Sequence, residues 1–137
     1  MNILVAILFG HLVGDFLLQT KKMALNKAKP GWFGTKWCFA HCLVYTITVC
    51  IFLWDFHLIT IVLVWLTHWP FDRYGLTGKW LKLIKARTFE SAFLSKDQFR
   101  EFDISFTCIV YTTADTTLHL LLLWLVTNNL DFFKTLF

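Results

Sequence analysis

The sequence predicts an all-α membrane protein of four transmembrane helices, with interfacial helices between the third and fourth. Three observations carry that expectation. Hydrophobic residues make up 57% of the 137, with 15 Phe and 7 Trp, while only 16% are Asp, Glu, Lys or Arg. That is too little charge to cover a water-soluble domain of this size. The apolar residues fall in stretches long enough to cross about 30 Å of hydrocarbon at about 1.5 Å per helical residue. Finally, 12 of the 13 Lys and Arg fall in two of the intervening segments. No linker-like or low-complexity tract divides the chain, so residues 1–137 read as one helical membrane domain.

The first stretch runs from Asn2 to Gln19. It lacks a basic leader and a small-residue cleavage site, and His11 and Asp15 interrupt it, so it is expected to be a retained span rather than a secretory signal. A basic connection with Lys21, Lys22, Lys27, Lys29 and Lys36 follows, turning at Pro30-Gly31. Trp37–Trp54 and Phe56–Phe71 are the next two spans, joined by a tight hairpin at Asp55 and His57. Between Asp72 and Asp103, apolar residues such as Trp80, Leu81, Ile84 and Phe93 interleave with Lys79, Lys82, Lys85 and Arg87, the pattern of helices lying at the head groups. The fourth span is expected from Ile104 to Thr127, with the tail resting at the interface. Four crossings put both basic segments on one side, and the positive-inside rule makes that side cytoplasmic, with both termini outside.

The net charge of +4 sits beside lipid head groups in this arrangement, so membrane lipids are the expected partners and nucleic acid is not. Cys38, Cys42, Cys50 and Cys108 lie in apolar stretches without CxxC spacing and read as buried thiols. Four short spans enclose little volume, which makes a homo-oligomer an expectation.

Polar groups inside spans are costly, at least about 2.5–3.5 kcal/mol for a charge at mid-helix, and therefore mark a packed interior or a site. Three pairs here share one spacing: His11/Asp15, His68/Asp72 and Asp115/His119. Four helical residues turn about 40° and rise about 6 Å, so each pair lies on one helix face. His41 contributes from the remaining span. Four imidazoles and three carboxylates could thus hold a divalent ion, with nitrogen and oxygen donors suited to zinc or manganese. His11, Asp15, His68 and Asp115 lead the candidate metal ligands. His41, Asp72 and His119 would complete coordination or act in proton transfer, with Gln19 and Thr116 in support. Counted from the basic side, Asp15, His41 and His68 lie about one turn inside, Asp72 at the boundary, His11 about two turns in, and Asp115 and His119 deeper still. Pro70, inside the His68/Asp72 interval, is expected to kink or end its helix.

At these residues the chain resembles a family of small bacterial and phage membrane proteins catalogued as domain of unknown function 3307. HLVGDFLLQ, His11 through Gln19, is similar to the family's HLxGDFxLQ signature. His41 matches its lone histidine on the second apolar segment, His68 and Asp72 its HxxxD pattern, and Asp115 and His119 its late DQxxH element, where Thr116 stands in place of Gln. The resemblance covers most of the chain and implies residence in the bacterial inner membrane. More distantly, the use of His and Asp across short helices is similar to that of membrane-bound metal-dependent hydrolases, which implies hydrolysis of a lipid, lipid-linked phosphate or other membrane-proximal ester. The residues alone leave two alternatives, a divalent-cation or proton transporter, and a structural or regulatory membrane factor with a non-catalytic cluster.

Overall fold

A computed structural model describes residues 2–136, and among these the secondary structure is helical throughout. Helix α1 (Ile3–Leu12) is capped by the Asn2 side chain, which accepts from the Leu4 N–H at 2.9 Å. It continues into a π turn, Val13–Leu17, closed by the Leu18 N–H on the Val13 carbonyl. A short α2 (Lys21–Asn26) follows, then α3 (Gly31–Leu53), which ends where Trp54 adopts φ 55°. Helix α4 (Leu58–Tyr74) ends at Gly75, whose φ of 58° turns the chain directly into α5 (Leu76–Lys85). Helices α6 (Phe89–Leu94), α7 (Arg100–Asn128) and α8 (Leu130–Leu136) complete the chain.

Four helices form a ring. Helices α1 and α4 each pack on both α3 and α7, and across the ring the backbones of opposite helices stand apart among the described residues, meeting only through side chains. The interior of the ring holds Ile7, Tyr45, Val49, Val64 and Leu123. Close approach of α1 and α3 rests on two glycines spaced by four. A Cβ on Gly10 would stand 3.1 Å from the Val49 Cα, and one on Gly14 would stand 2.9 Å from the Tyr45 ring. Small residues at this spacing let helix backbones come together where a larger side chain would hold them apart.

Several boundaries differ from the sequence expectation, each for a local reason. Pro70 neither ends nor shortens α4, which runs on to Tyr74 and carries Asp72 inside its last turn. Helix α7 begins at Arg100 rather than Ile104, because its first turns pack on α5 and α6 outside the ring. Arg87 binds Asp103 and Thr107 there, and Phe89 meets Tyr111 with ring centroids 5.3 Å apart. The segment after α4 does form two short helices. In α5, Thr77 and Leu81 are buried while Lys79, Lys82 and Lys85 are exposed. Cys38, Cys42 and Cys50 are buried, but Cys108 is exposed on the outer side of α7. The C-terminal tail folds back as α8, and Lys134 reaches Asp55 at 2.6 Å.

Helices α3 and α7 are long and apolar enough to cross a membrane, while the apolar first segment, Ile3–Leu17, and the 17-residue α4 are shorter. Only 17% of the most apolar stretch of α7 is buried. A core helix of a soluble domain would be covered instead, so this helix presents its apolar side outward.

Candidate metal centre

The centre lies inside the ring, and the local backbone of α1 explains how one short helix delivers two of its groups. The π turn places Asp15 one residue further round than a regular helix would, and single π turns recur at functional sites. Within that turn, His11 Nδ1 is 3.2 Å from Asp15 Oδ2 and also 3.2 Å from the Tyr45 hydroxyl. Gly14 admits the Tyr45 ring at this point, and no larger residue would fit there without displacing it.

The remaining oxygen of Asp15 points to α3 and α4. His41 Nε2 lies 3.1 Å from Asp15 Oδ1, 2.8 Å from Asp72 Oδ2 and 3.0 Å from His68 Nε2. His68 Nε2 lies 3.2 Å from Asp72 Oδ2 and 3.6 Å from Asp15 Oδ1. One imidazole nitrogen carries at most one proton, and His41 Nε2, which also has Gln19 Nε2 at 3.1 Å, faces four polar neighbours, more than one hydrogen bond can serve. The spacing is compatible with metal coordination. Donors about 2.0–2.1 Å from a tetrahedral ion stand about 3.3–3.4 Å from one another, and the separations here, 2.8–3.6 Å, bracket that edge length. His41, His68 and Asp72 thus form a triangular face able to hold a metal ion, and Asp15, His68 and His119 form a second group sharing His68. His41, His68 and His119 are buried, and Asp15 keeps slight exposure.

Helix α7 supplies His119 through a hydrogen bond that fixes its ring. His119 Nδ1 lies 2.9 Å from the Asp115 carbonyl, which can only accept, so Nδ1 carries the proton and donates. In the neutral ring the lone pair is then on Nε2, which is buried without a hydrogen-bond partner among the described residues, and His119 belongs to the group with Asp15 and His68. A buried acceptor without a donor is costly, and a metal ion is one way to satisfy it. His11 Nε2 is likewise buried and unpartnered, beside His119 at a ring separation of 5.6 Å.

The candidates of the sequence therefore divide. Asp15, His41, His68, Asp72 and His119 converge. His11 stands behind Asp15, and Gln19 abuts His41, its Nε2 3.1 and 3.2 Å from the two ring nitrogens. Asp115 turns aside, receiving the Thr77 hydroxyl at 2.5 Å, with its other oxygen 3.7 Å from His119 Nδ1. Thr116 is half-buried and makes no hydrogen bond to the centre among the described residues.

Three contributors escaped the sequence reading. Tyr45 lies face to face with His68 at 3.6 Å, and its position four residues after His41 on α3 was the available signal. Thr77 had none. Lys27, one of a run of loop lysines, reaches Asp72 Oδ2 at 2.7 Å. Burial weakens its charge, but the surrounding carboxylates, Asp72 first and then Asp15, together outweigh that and raise its pKa above the ordinary lysine value.

Compared with family models, residues 3–133 match the one described as a protein of unknown function, DUF3307. The chain belongs to the DUF3307 family. The match spans every ring helix and both ends of the centre, so the fold and its polar interior fall within the family's domain. No curated protein and no solved structure matches this DUF3307 chain.

Proposed function

We propose that this DUF3307 chain is a four-span protein of the bacterial inner membrane whose ring centre binds a divalent ion, zinc or manganese, and hydrolyses a membrane-proximal ester. The observation that carries the reading is the crowding of His41, His68 and Asp72, whose donor atoms lie 2.8–3.2 Å apart, with Asp15 Oδ1 3.1 and 3.6 Å from the two imidazoles. His41, His68 and Asp72 are the ligands, with Asp15 as the fourth donor. A bound divalent ion would supply Lewis acidity and lower the pKa of a water. His11 holds Asp15 in place, and His119 Nε2 is an available proton acceptor beside it. The groups sit at one level of the ring rather than along its axis, which favours a fixed centre over a conduction path.

A structural reading has one observation in its favour. Lys27 already neutralises Asp72, so the cluster could join the helices without turnover. One experiment separates the two. Protein extracted gently from native membranes and freed of loose ions is expected to hold about one divalent ion per chain by elemental analysis. Asp72→Asn and Asp15→Asn should lose most of it while remaining folded, and Asp115→Asn should lose less. The loaded parent, screened against lipid phosphoesters and acyl esters, should turn over a substrate that Asp15→Asn does not. Metal without turnover leaves the structural reading, and a folded parent that takes up neither zinc nor manganese refutes the centre.

A further inference from the structure

We propose that Lys27 is the anion-recognition residue of the centre, and that the group it recognises is the dianionic phosphate of a phosphomonoester. The inference rests on the metal-centre reading and narrows its substrate. Among the ion pairs of the described residues, Lys27 is the one Lys or Arg that meets the His/Asp cluster. Its Nζ is bonded to Asp72 Oδ2, the same oxygen that His41 and His68 face, so the ammonium is one carboxylate oxygen away from the ion position. A single substrate oxygen can therefore bridge the two cations, which is how phosphoryl oxygens are commonly held.

Charge favours an anion over a neutral acyl ester. Asp15 and Asp72 balance a divalent ion, and the positive charge of Lys27 is offset only at a distance, by Asp115, which is turned onto Thr77. A neutral carbonyl gives that charge no partner, whereas a phosphomonoester does. The approach is also basic, because Lys21, Lys22, Lys29 and Lys36 flank Lys27 in the same segment.

The segment that carries Lys27 is fixed independently of its side chain. Arg73 donates to the Lys29 carbonyl at 2.9 Å and to the Gly31 carbonyl at 3.3 Å, clamping the connector onto α4 next to Asp72. Gly34 lies directly beneath the Lys29 carbonyl, where any Cβ would collide with it. With the backbone held at these points, the four-carbon stem of Lys27 can swing its ammonium from Asp72 to a substrate oxygen without moving the strap.

The test uses the full chain in detergent, loaded with zinc and freed of excess, titrated with inorganic phosphate, dihexanoyl phosphatidic acid and dihexanoyl phosphatidylcholine. Elemental analysis precedes each titration. The parent is expected to bind phosphate and phosphatidic acid, and phosphatidylcholine much more weakly. Lys27→Met should keep its zinc and lose about tenfold or more in affinity for both inorganic phosphate and phosphatidic acid, as removal of a charged hydrogen bond requires, while Lys27→Arg should recover most of it. Equal affinities for phosphate and phosphatidic acid would identify the head group as the whole ligand, and tighter phosphatidic acid would add the lipid chains. Unchanged phosphate affinity in zinc-loaded Lys27→Met, no phosphate binding by the zinc-loaded parent, or loss of zinc together with phosphate in the variant would each overturn the proposal. A parent that binds no zinc is seen at the elemental step, and there the metal reading itself fails.

Discussion

Asp15 and Asp115 belong to mirror-image motifs, HxxxD and DxxxH, and the sequence counts both as leading ligands while favouring Asp15 by depth and motif. The structure gives them different surroundings. Asp15 sits in a π turn that aims one oxygen at His41 and His68, while Asp115, in regular helix, is one turn closer to α5 and receives the Thr77 hydroxyl. The i, i+4 rule put each pair on one helix face, which was legible, but it does not say which member faces the axis. Lys27 was not legible at all, because a loop lysine among other lysines has no pattern until Asp72 is found beside it. Loss of either partner there would leave the other charge buried, and breaking such pairs costs about 3–5 kcal/mol where burial is complete. Lys27→Met leaves Asp72 buried, but His41 and His68 still face the same carboxylate oxygen, so the loss should be milder, which is what makes the variant usable as a test.

At the scale of helices, the sequence placed every ring element and misjudged the level of one. Depth counted from the basic side made His119 too deep, because the first turns of α7 lie beside α5 and α6 rather than in the ring. Counted from the other end the levels agree: His11 is eight residues from Ile3, His68 ten from Leu58, His119 nine from Asn128 and His41 twelve from Leu53. That end is fastened by the contact between α8 and the α3–α4 hairpin, whose Asp55 and His57 have only a turn pattern in the sequence. Asp55 accepts from Lys134, from the Thr60 hydroxyl at 3.0 Å and from the His57 N–H at 3.1 Å. Burial pushes its carboxyl pKa up, and these bonds outweigh it and hold the pKa below the ordinary value. A depressed carboxylate pKa stabilises the fold above its unfolded value of about 3.9, and the contribution is lost as pH falls through the folded value. The pair is partly exposed and is worth about 0.2–1 kcal/mol. Lys134→Met should therefore lower the thermal midpoint in detergent by about 1–4 °C at neutral pH. The gap should hold down to about pH 5 and close below about pH 4. A gap that persists at pH 2 would assign the loss to packing of α8 instead.

The whole molecule is a polar centre inside an apolar ring, and composition made that inversion legible before any helix was placed. Leu4, Phe9, Ile47, Leu66, Ile109 and Leu125 are all exposed on the outside of the ring, where a soluble protein would carry charge. A lipid environment accounts for both the exposed apolar surface and the 12-to-1 division of basic residues. Only α3 and α7 reach full bilayer length, so the proposed four crossings with both termini outside the cytoplasm require the shorter α1 and α4 to cross as well. Thiol labelling in intact cells, in a background without native cysteines, should find Lys29→Cys and Lys85→Cys protected by the membrane and Thr135→Cys accessible. All three on one side would contradict four crossings. The centre itself is tested most directly by X-ray absorption at the zinc edge of the loaded protein. A four- or five-coordinate ion is expected, with two imidazoles, His41 and His68, and oxygen donors at about 2.0–2.2 Å, and the spectrum should change in Asp72→Asn. A spectrum without imidazole scattering, or one indifferent to Asp72, would contradict it.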